Sequence, residues 1–323
     1  MVHYSGWGAG KIRVETVDIE SLTALGKRLL TGDGVAAEPA KAVACLTDAA
    51  ARGSGEASAH LALFAGWGVV RARNMDEALD QLQRAAEQGF APSRRELQFL
   101  ARAAGSDWAS LRRLVDLAAW RRAPPTRIVR AAPRIRVVEG FASASECDWL
   151  IERGKGRLRR AQVYRRDTSG HMEVGNRTNT ESDFTIVNAD LVLALVRDRI
   201  AGSIGIDVRY FEMTKLLNYE PGQFFGVHAD FQAPDTPALA KEIETRGQRT
   251  VTFLLYLNDD YEGGETDFPK IGYRFKGRRG DALFFFNVLE SDAPDYDTAH
   301  AGLPPASGMK WLLSQWVRSK PVG

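Results

Sequence analysis

Apolar and polar positions follow two different patterns along the chain. Through about residue 120, alanine dominates, glycine recurs at intervals and runs of β-branched residues are scarce, which predicts helices. From residue 135 onward, short runs rich in β-branched and aromatic residues predict strands. The predicted strands cover residues 208–219, 250–257, 282–288 and 310–318.

Two helices are predicted ahead of these strands. Ser143 and Glu146 have the spacing of a capping box, which predicts a helix that runs through Glu152. Apolar residues at helical spacing predict a second helix over 188–200. Short strands that follow two helices favour a β-sandwich or jelly roll with a helical face. The predicted fold class is therefore α+β, with a helical domain ahead of a β-rich domain.

The helical part contains an internal repeat. A Gly-x-Gly-Val marker occurs at residues 32–35 and again, 34 residues later, at 66–69, and each is followed by an alanine-rich helix end. A period in the mid-thirties is typical of helix-turn-helix solenoids. The markers resemble the Sel-type branch of the tetratricopeptide-like repeats, over about residues 20–90. Residues 91–120 are predicted to form either a degenerate third repeat or a helix that docks on the next domain.

Prolines and charge mark a boundary after the repeats. Pro124, Pro125 and Pro133 predict a linker at 121–134, between a helical domain at 1–120 and a second domain at 135–323. Residues 121–166 carry thirteen Arg or Lys against four Asp or Glu. We interpret this local excess of positive charge as a solvated face or as a face that attracts an anionic substrate. A nucleic-acid partner is disfavoured, because the net charge of the chain is only +2.

Composition excludes several classes of protein. The chain has 323 residues, of which 44% are hydrophobic and 26% charged, values that exclude a disordered chain. No apolar run approaches the ~18 residues of a membrane span, and the first 18 residues lack the apolar core of a secretory signal. The chain has two cysteines, Cys45 and Cys147, which are too few for disulfide bonds to stabilise a chain of this length, so we expect a cytoplasmic protein.

The candidate chemistry starts from three side chains. His228 and Asp230 are two residues apart, so in an extended strand they point to one face and can clasp a metal ion. A distant His300 would complete a set of two histidines and one carboxylate. That facial set leaves three coordination positions open, which suits non-haem Fe(II), although zinc hydrolysis could use the same ligands.

The surroundings of this set resemble one family. Tyr219 lies nine residues before His228, a Gly-Gly-Glu-Thr segment ends at Thr266, and Lys310 lies ten residues after His300. In this order, residues 135–318 closely resemble the prolyl 4-hydroxylase branch of the Fe(II)/2-oxoglutarate dioxygenases. The resemblance implies a double-stranded β-helix, with iron held by His228, Asp230 and His300. It also implies 2-oxoglutarate as cosubstrate, dioxygen as co-reactant and ascorbate as reductant.

The resemblance assigns further roles to residues of this chain. Lys310 would pair with the distal carboxylate of 2-oxoglutarate, and Tyr219 and Thr266 would hydrogen-bond the same molecule. Substrate contacts are implied for Arg177, Asn179, Glu212, Arg249 and Trp316. Asn179 stands where serine is frequent in the family, and Phe225 stands where tyrosine is frequent, so the identity of the substrate does not follow.

The predicted function is hydroxylation of an aliphatic C–H, on a prolyl residue of a peptide or protein or on a free amino acid such as a cyclic imino acid. The helical repeats favour a peptide or protein as the substrate or partner, because solenoids present extended concave surfaces. A rival hypothesis is an interaction protein whose β-domain is catalytically idle. A nucleic-acid dealkylase is disfavoured by Lys310, since such enzymes carry arginines there, and a zinc hydrolase lacks an evident general base.

Overall fold

The computed structural model describes residues 18–164, 171–172 and 175–322. The chain divides into two compact units, Met1–Val115 and Asp116–Gly323. In the described part of the chain, no helix combines the length and the apolar character that crossing a bilayer requires.

The first unit is built from helices that pack in consecutive pairs. They are α1 (Ile19–Thr31), α2 (Pro39–Ala51), α3 (Gly55–Trp67), α4 (Met75–Glu87), α5 (Ala91–Ala101) and α6 (Trp108–Leu114). Helices α1 and α2, α3 and α4, and α5 and α6 contact each other, and α2–α3 and α4–α5 contacts link the pairs. Residues 91–114 therefore form a third helix pair, as the first predicted alternative has it, whereas residues 117–121 form a helix that packs against the helix at 191–204 of the second unit, as the second has it.

The helix-ending glycines repeat every 36 residues, from Gly32 to Gly68, so the two Gly-x-Gly-Val markers, which are 34 residues apart, do not occupy equivalent positions: Gly66 lies inside α3. Gly32 and Gly68 end α1 and α3 with φ of 74° and 77°, the left-handed conformation that favours glycine. The alanine-rich ends of α2 and α4 are buried, with Ala49 and Ala85 at 0% exposure. Small side chains at those positions let the paired helices approach closely.

The second unit combines helices with antiparallel sheets. Its helices are α7 (Leu117–Arg121), α8 (Ala144–Lys155), α9 (Leu191–Ile204) and α10 (Pro237–Arg246). Its strands are β1 (Arg127–Arg130), β2 (Ile135–Val138), β3 (Arg159–Arg160), β4 (Val163–Tyr164), β5 (His171–Met172), β6 (Thr180–Asp183), β7 (Lys215–Tyr219), β8 (Phe225–His228), β9 (Arg249–Tyr256), β10 (Glu262–Gly263), β11 (Thr266–Phe268), β12 (Tyr273–Phe275), β13 (Ala282–Phe286), β14 (His300–Gly302), β15 (Pro305–Ser307) and β16 (Lys310–Arg318).

Two sheets face each other as the walls of a jelly roll. The larger has the order β1-β2-β13-β9-β16-β7-β6-β3, and the smaller has the order β12-β11-β14-β8. Leu217, Tyr256 and Leu312 of the larger sheet share a buried core with Phe268 of the smaller one. The ring of Phe268 meets that of Phe285 edge-on, at 5.1 Å between centroids. The predicted double-stranded β-helix is confirmed.

The helical face follows from the predicted capping box. Ser143 and Glu146 form that box at the start of α8. Glu146 is buried and also accepts a hydrogen bond from Arg199 of α9 at 2.8 Å, so the cap ties the two helices together. Cys147, next along α8, is buried and free, and burial raises the pKa of its thiol to about 12.

Two sequence predictions differ from the structure. The segment 121–134, predicted as a linker, contains β1, which pairs with β2 in the larger sheet, and the units divide at residue 115. The predicted strand 208–219 is a strand only over Lys215–Tyr219, because Asp207 accepts a hydrogen bond from the Arg209 amide and caps a 3-10 helix there.

Candidate functional site

Three predicted metal ligands meet between two paired strands. His228 of β8 lies directly opposite His300 of β14 in the antiparallel register, and Asp230 follows β8 by two residues. The Nε2 atom of His228 lies 3.5 Å from Oδ1 of Asp230, and Nε2 of His300 lies 3.6 Å from Oδ2. In the described part of the chain, this is the one group of three or more His, Cys, Asp or Glu side chains placed to hold a metal ion.

Backbone carbonyls select the metal-binding tautomer of both imidazoles. The Nδ1 atom of His228 lies 2.9 Å from the Gly226 carbonyl oxygen, and that of His300 lies 3.0 Å from the Thr298 carbonyl oxygen. A carbonyl oxygen only accepts, so each Nδ1 carries the proton and each Nε2 presents a lone pair towards Asp230. The two rings are thereby oriented for metal coordination.

The charges of the set also suit a divalent cation. Burial, together with the neighbouring His228, lowers the pKa of His300 to about 4, so this imidazole is neutral at neutral pH. Burial alone would raise the pKa of Asp230, but charge interactions with His300 and His228 and a hydrogen bond from Thr252 hold it well below its usual value. Two imidazoles and one carboxylate fit the facial donor set of Fe(II).

An unpaired ammonium group lies in the same cavity. Lys310, the first residue of β16, is 0% exposed, and its Nζ atom is buried without a hydrogen-bond partner among the described residues. It lies 5.1 Å from the ring centroid of Tyr219 and 5.6 Å from that of Tyr256. Burial lowers the pKa of Lys310 to about 7. A buried cation without a counter-charge is costly, so this end of the cavity fits an anionic ligand.

Two hydroxyl-bearing side chains, Tyr219 and Thr266, line the same cavity as Lys310. Lys310 pairs with Tyr219 of β7 in the register of the larger sheet, and burial raises the pKa of Tyr219 to about 12, so its phenol stays protonated and can donate. Thr266 lies 2.7 Å from the hydroxyl of Tyr256, oxygen to oxygen. Tyr256 carried no predicted role, although the alternation along β9 places it on the inner face with Leu254.

Not every predicted site residue lines the cavity. Those that line it are His228, Asp230, His300, Tyr219, Thr266, Lys310, Arg177 and Trp316. Three others, Asn179, Glu212 and Arg249, lie outside its lining.

Arg177 and Asn179 act together behind the metal ligands. Asn179 is 0% exposed, and its Oδ1 accepts a hydrogen bond from Nε of Arg177 at 2.9 Å. The Arg177 guanidinium lies 4.5 Å from the ring of Phe225, which stacks on His228 at 3.5 Å between centroids. Asn179 is therefore placed to support Arg177 rather than to contact a substrate. The family resemblance also implies a loop over the site at residues 163–181, of which 165–170 and 173–174 lie outside the described residues.

Glu212 lies at the centre of a second charged group. It accepts hydrogen bonds from Arg249 at 2.7 Å and from the fully buried Arg318 at 2.6 Å. The Arg249 guanidinium stacks on Trp316 at 3.8 Å from the ring centroid. Burial would raise the pKa of Glu212, but the two guanidinium groups hold it below its usual value. Glu212 and Arg249 therefore brace Trp316, the member of this group that lines the cavity.

We expect Glu212→Gln to lower the free energy of unfolding of this unit by about 3 kcal/mol, because it leaves the buried Arg318 and the partly buried Arg249 without their shared carboxylate. Since the pKa of Glu212 is depressed from 4.5, the stabilisation is fully present above that pH and is lost as pH falls through the lower folded value. Thermal unfolding followed by circular dichroism at pH 7 and pH 4 measures both effects.

The matched control is Glu242→Gln. Glu242 also accepts from Arg318, at 2.8 Å, but its side chain is 19% exposed, so we expect a loss of about 1 kcal/mol or less. Equal melting temperatures for the two variants would refute a central role for Glu212.

Comparisons with known proteins agree with this geometry. The family model of the 2OG-Fe(II) oxygenase superfamily matches residues 214–318, which include the three metal ligands and Lys310. A protein of Arabidopsis thaliana called probable prolyl 4-hydroxylase 6 is 31% identical over 219 residues, covering 62% of this chain and 74% of that protein. Several animal relatives are longer, and the chain spans 35% of their length.

Solved structures show partial likenesses to the chain. The viral collagen prolyl hydroxylase of Paramecium Bursaria Chlorella virus-1 is 26% identical, with a TM-score of 0.45, covering 58% of this chain and 96% of that one. A Sel1 repeat protein of Oxalobacter formigenes is 22% identical, with a TM-score of 0.26, covering 32% of this chain and 45% of that one. By its match to the plant relative and by its site, the chain belongs to the prolyl 4-hydroxylase family of 2OG-Fe(II) oxygenases.

Proposed function

We propose that this protein hydroxylates an aliphatic C–H of a prolyl residue within a peptide or protein, using Fe(II), 2-oxoglutarate and dioxygen. The observation that carries the proposal is one cavity that holds both a facial His-Asp-His set and the unpaired ammonium of Lys310. The relatives named prolyl 4-hydroxylases support the choice of prolyl substrate.

Each residue has a proposed part. His228, Asp230 and His300 hold the iron through two imidazole Nε2 atoms and a carboxylate. The Lys310 ammonium neutralises the distal carboxylate of 2-oxoglutarate. Tyr219 and Thr266 orient that molecule with their hydroxyl groups.

The bound iron and cosubstrate supply the oxidising power, coupling decarboxylation of 2-oxoglutarate to succinate with transfer of one oxygen atom of dioxygen to the substrate. The protein positions the reactants and secludes them from water. We further propose ascorbate as the reductant that sustains turnover.

Besides Lys310, the cavity is lined by Arg177 and Lys215, and both already form ion pairs with carboxylates. This favours a peptide substrate over a free amino acid. Arg177 donates to Glu181 at 2.8 Å, and Lys215 donates to Glu181 at 2.9 Å and to Asp183 at 2.7 Å. These cations are already neutralised, whereas the carboxylate of a free amino acid needs a cation of its own. A peptide-linked prolyl residue is uncharged and has no such need.

Two further proposals concern the setting of the enzyme. The helix pairs of the first unit are proposed to bind a protein partner or an extended substrate, as solenoids do through their concave faces. The cytoplasm remains the proposed location, supported by the two free cysteines.

The test measures succinate released from 2-oxoglutarate in the presence of Fe(II) and ascorbate. Proline-containing peptides are compared with free proline and related imino acids, and mass spectrometry detects the gain of one oxygen atom. We expect stimulation by peptides and none by free amino acids, with Asp230→Ala as the inactive control. Stimulation by free amino acids alone would overturn the peptide assignment. Failure of the wild-type protein to bind Fe(II) and 2-oxoglutarate would favour an interaction protein with an idle metal fold.

The proposed role of Lys310 predicts a pH dependence of cosubstrate binding. With a pKa near 7 in the free protein, Lys310 loses its proton as pH rises above 7, and a bound carboxylate favours the protonated form. Binding then takes up a proton, so affinity for 2-oxoglutarate falls by up to ~10-fold per pH unit above pH 7. Calorimetry with Mn(II) in place of iron, at pH 6.5, 7.5 and 8.5, measures this. An affinity that does not change with pH would contradict the assignment.

A further inference from the structure

We propose that Thr252 and Asn287 are positioning residues that hold the carboxylate of Asp230 in its metal-binding orientation. The inference rests on the proposed metal site and assigns roles to two residues that neither the sequence patterns nor the family resemblance singled out. It concerns side chains that act on the metal through Asp230 and do not themselves belong to the ligand set.

The three side chains form one buried hydrogen-bonded chain. The Thr252 hydroxyl lies 2.6 Å from Oδ2 of Asp230, and Nδ2 of Asn287 lies 3.0 Å from the Thr252 hydroxyl. Their exposed fractions are 0% for Asn287, 1% for Thr252 and 4% for Asp230. Water therefore has little access to compete for these bonds, and each is strengthened by the surrounding low dielectric.

Chemistry dictates the direction of every bond in the chain. An ionised carboxylate only accepts hydrogen bonds, so Thr252 must donate its one hydroxyl proton to Asp230. The Thr252 oxygen is then an acceptor, and Asn287 must present its NH₂ group rather than its carbonyl. Rotating the Asn287 amide by half a turn would bring two acceptor oxygens together, so the arrangement has a single stable form.

The sheet holds both donors rigidly. Thr252 lies on β9 and faces Phe285 of β13 in the register of the larger sheet. Asn287 follows β13. Its backbone N–H donates to the backbone carbonyl of Thr250 at 2.8 Å, and its backbone carbonyl accepts from the backbone N–H of Asp295 at 2.9 Å. Asp230, by contrast, lies in the segment just after β8. These hydrogen bonds thus connect Asp230, a proposed metal ligand that lies outside a strand, to two strands of the larger sheet.

This connection has a consequence for the ligand set. Asp230 lies between the Nε2 atoms of His228 and His300, at 3.5 Å and 3.6 Å. The bond to Oδ2 makes its two oxygens inequivalent and fixes the plane of the carboxylate before a metal arrives. Loss of the bond would free that plane to rotate, so the cost appears in metal affinity. Partners of this kind are typically worth about 10–100-fold in metal affinity or activity.

The test compares Thr252→Val with Thr252→Ser in the full-length protein. Valine keeps the shape of threonine and removes the hydroxyl, whereas serine keeps the hydroxyl. Mn(II) affinity is measured by electron paramagnetic resonance of the free ion, with no substrate or turnover required. We expect affinity to fall about 10–100-fold in Thr252→Val and to stay within about 3-fold of wild type in Thr252→Ser.

Two further variants separate this cause from general damage. Thr250→Val makes the same chemical change two residues away on β9, where the hydroxyl bonds to the Val317 carbonyl, and it should leave Mn(II) affinity unchanged. Asn287→Leu leaves the Thr252 bond in place without its support, so we expect a smaller fall than for Thr252→Val. Melting temperatures of the metal-free variants report whether each is folded, and Asn287→Leu provides the test if Thr252→Val is not.

The outcomes are distinguishable. Wild-type affinity in Thr252→Val, or in Asn287→Leu if only that variant folds, would overturn the inference and leave the proposed function intact. Equal losses in Thr252→Val and Thr252→Ser would also overturn it, since the hydroxyl would not be the cause. Absence of Mn(II) binding by the wild-type protein would instead overturn the proposed metal site, and the proposed function with it.

Discussion

The His228→Ala variant is expected to lose Fe(II)-dependent turnover of 2-oxoglutarate by at least ~1,000-fold, equivalent to about 4 kcal/mol. Its imidazole is one of the three proposed metal ligands, and the Gly226 carbonyl orients it, so its loss would leave the metal with two of them. Succinate release measures turnover, and Mn(II) affinity measured in parallel locates the defect in metal binding.

Val227→Ala is the matched control for this variant. Val227 precedes His228 on β8, but its side chain is 55% exposed, on the opposite face of the strand from the site. We expect wild-type turnover there. Retention of full turnover by His228→Ala would remove this residue from the ligand set.

Lys310→Met is expected to raise the KM for 2-oxoglutarate by about 100-fold, or ~2.7 kcal/mol, with a smaller effect on kcat at saturating cosubstrate. Methionine retains the aliphatic packing of the side chain but cannot neutralise the distal carboxylate. The same variant should raise the melting temperature of the ligand-free protein. A lysine whose pKa falls from 10.5 to about 7 on folding destabilises the fold fully below pH 7, and the cost fades as pH rises towards 10.5.

A weaker affinity for 2-oxoglutarate together with a higher melting temperature in Lys310→Met would identify Lys310 as a cation that serves binding rather than folding. Lys241→Met changes an exposed lysine of α10 and should move neither quantity. A stabilised Lys310→Met protein with an unchanged KM would exclude Lys310 from the cosubstrate pocket. A destabilised one would show that the ammonium has a structural partner instead.

Much of the site could be predicted because its chemistry is local or carried by family resemblance. The period of two predicted that residues 228 and 230 point to one face of a strand; the two side chains do meet, although β8 ends at His228 and Asp230 follows it. Lys310 begins a strand whose predicted bounds, 310–318, are those of β16. The capping box at Ser143 and Glu146 was equally local and is confirmed. By contrast, β-branched and aromatic residues between 208 and 214 suggested a longer strand, because that pattern does not register the Asp207 cap.

Local pattern was enough to predict the α+β class and a repeat period in the mid-thirties, and family resemblance was enough to imply the reaction class and to propose the ligand set. Contacts between distant segments required the folded sheets. Glu212 and Arg318 are 106 residues apart and meet only in the assembled domain, and Asn287 reaches Thr252 across two neighbouring strands. Strand order and register decide which side chains lie opposite one another, and many registers satisfy the same alternation of apolar and polar residues. Tertiary structure therefore decided that Asn179 supports Arg177, that Glu212 braces Trp316, and that Lys310 Nζ has no hydrogen-bond partner within the part of the chain that the structure describes.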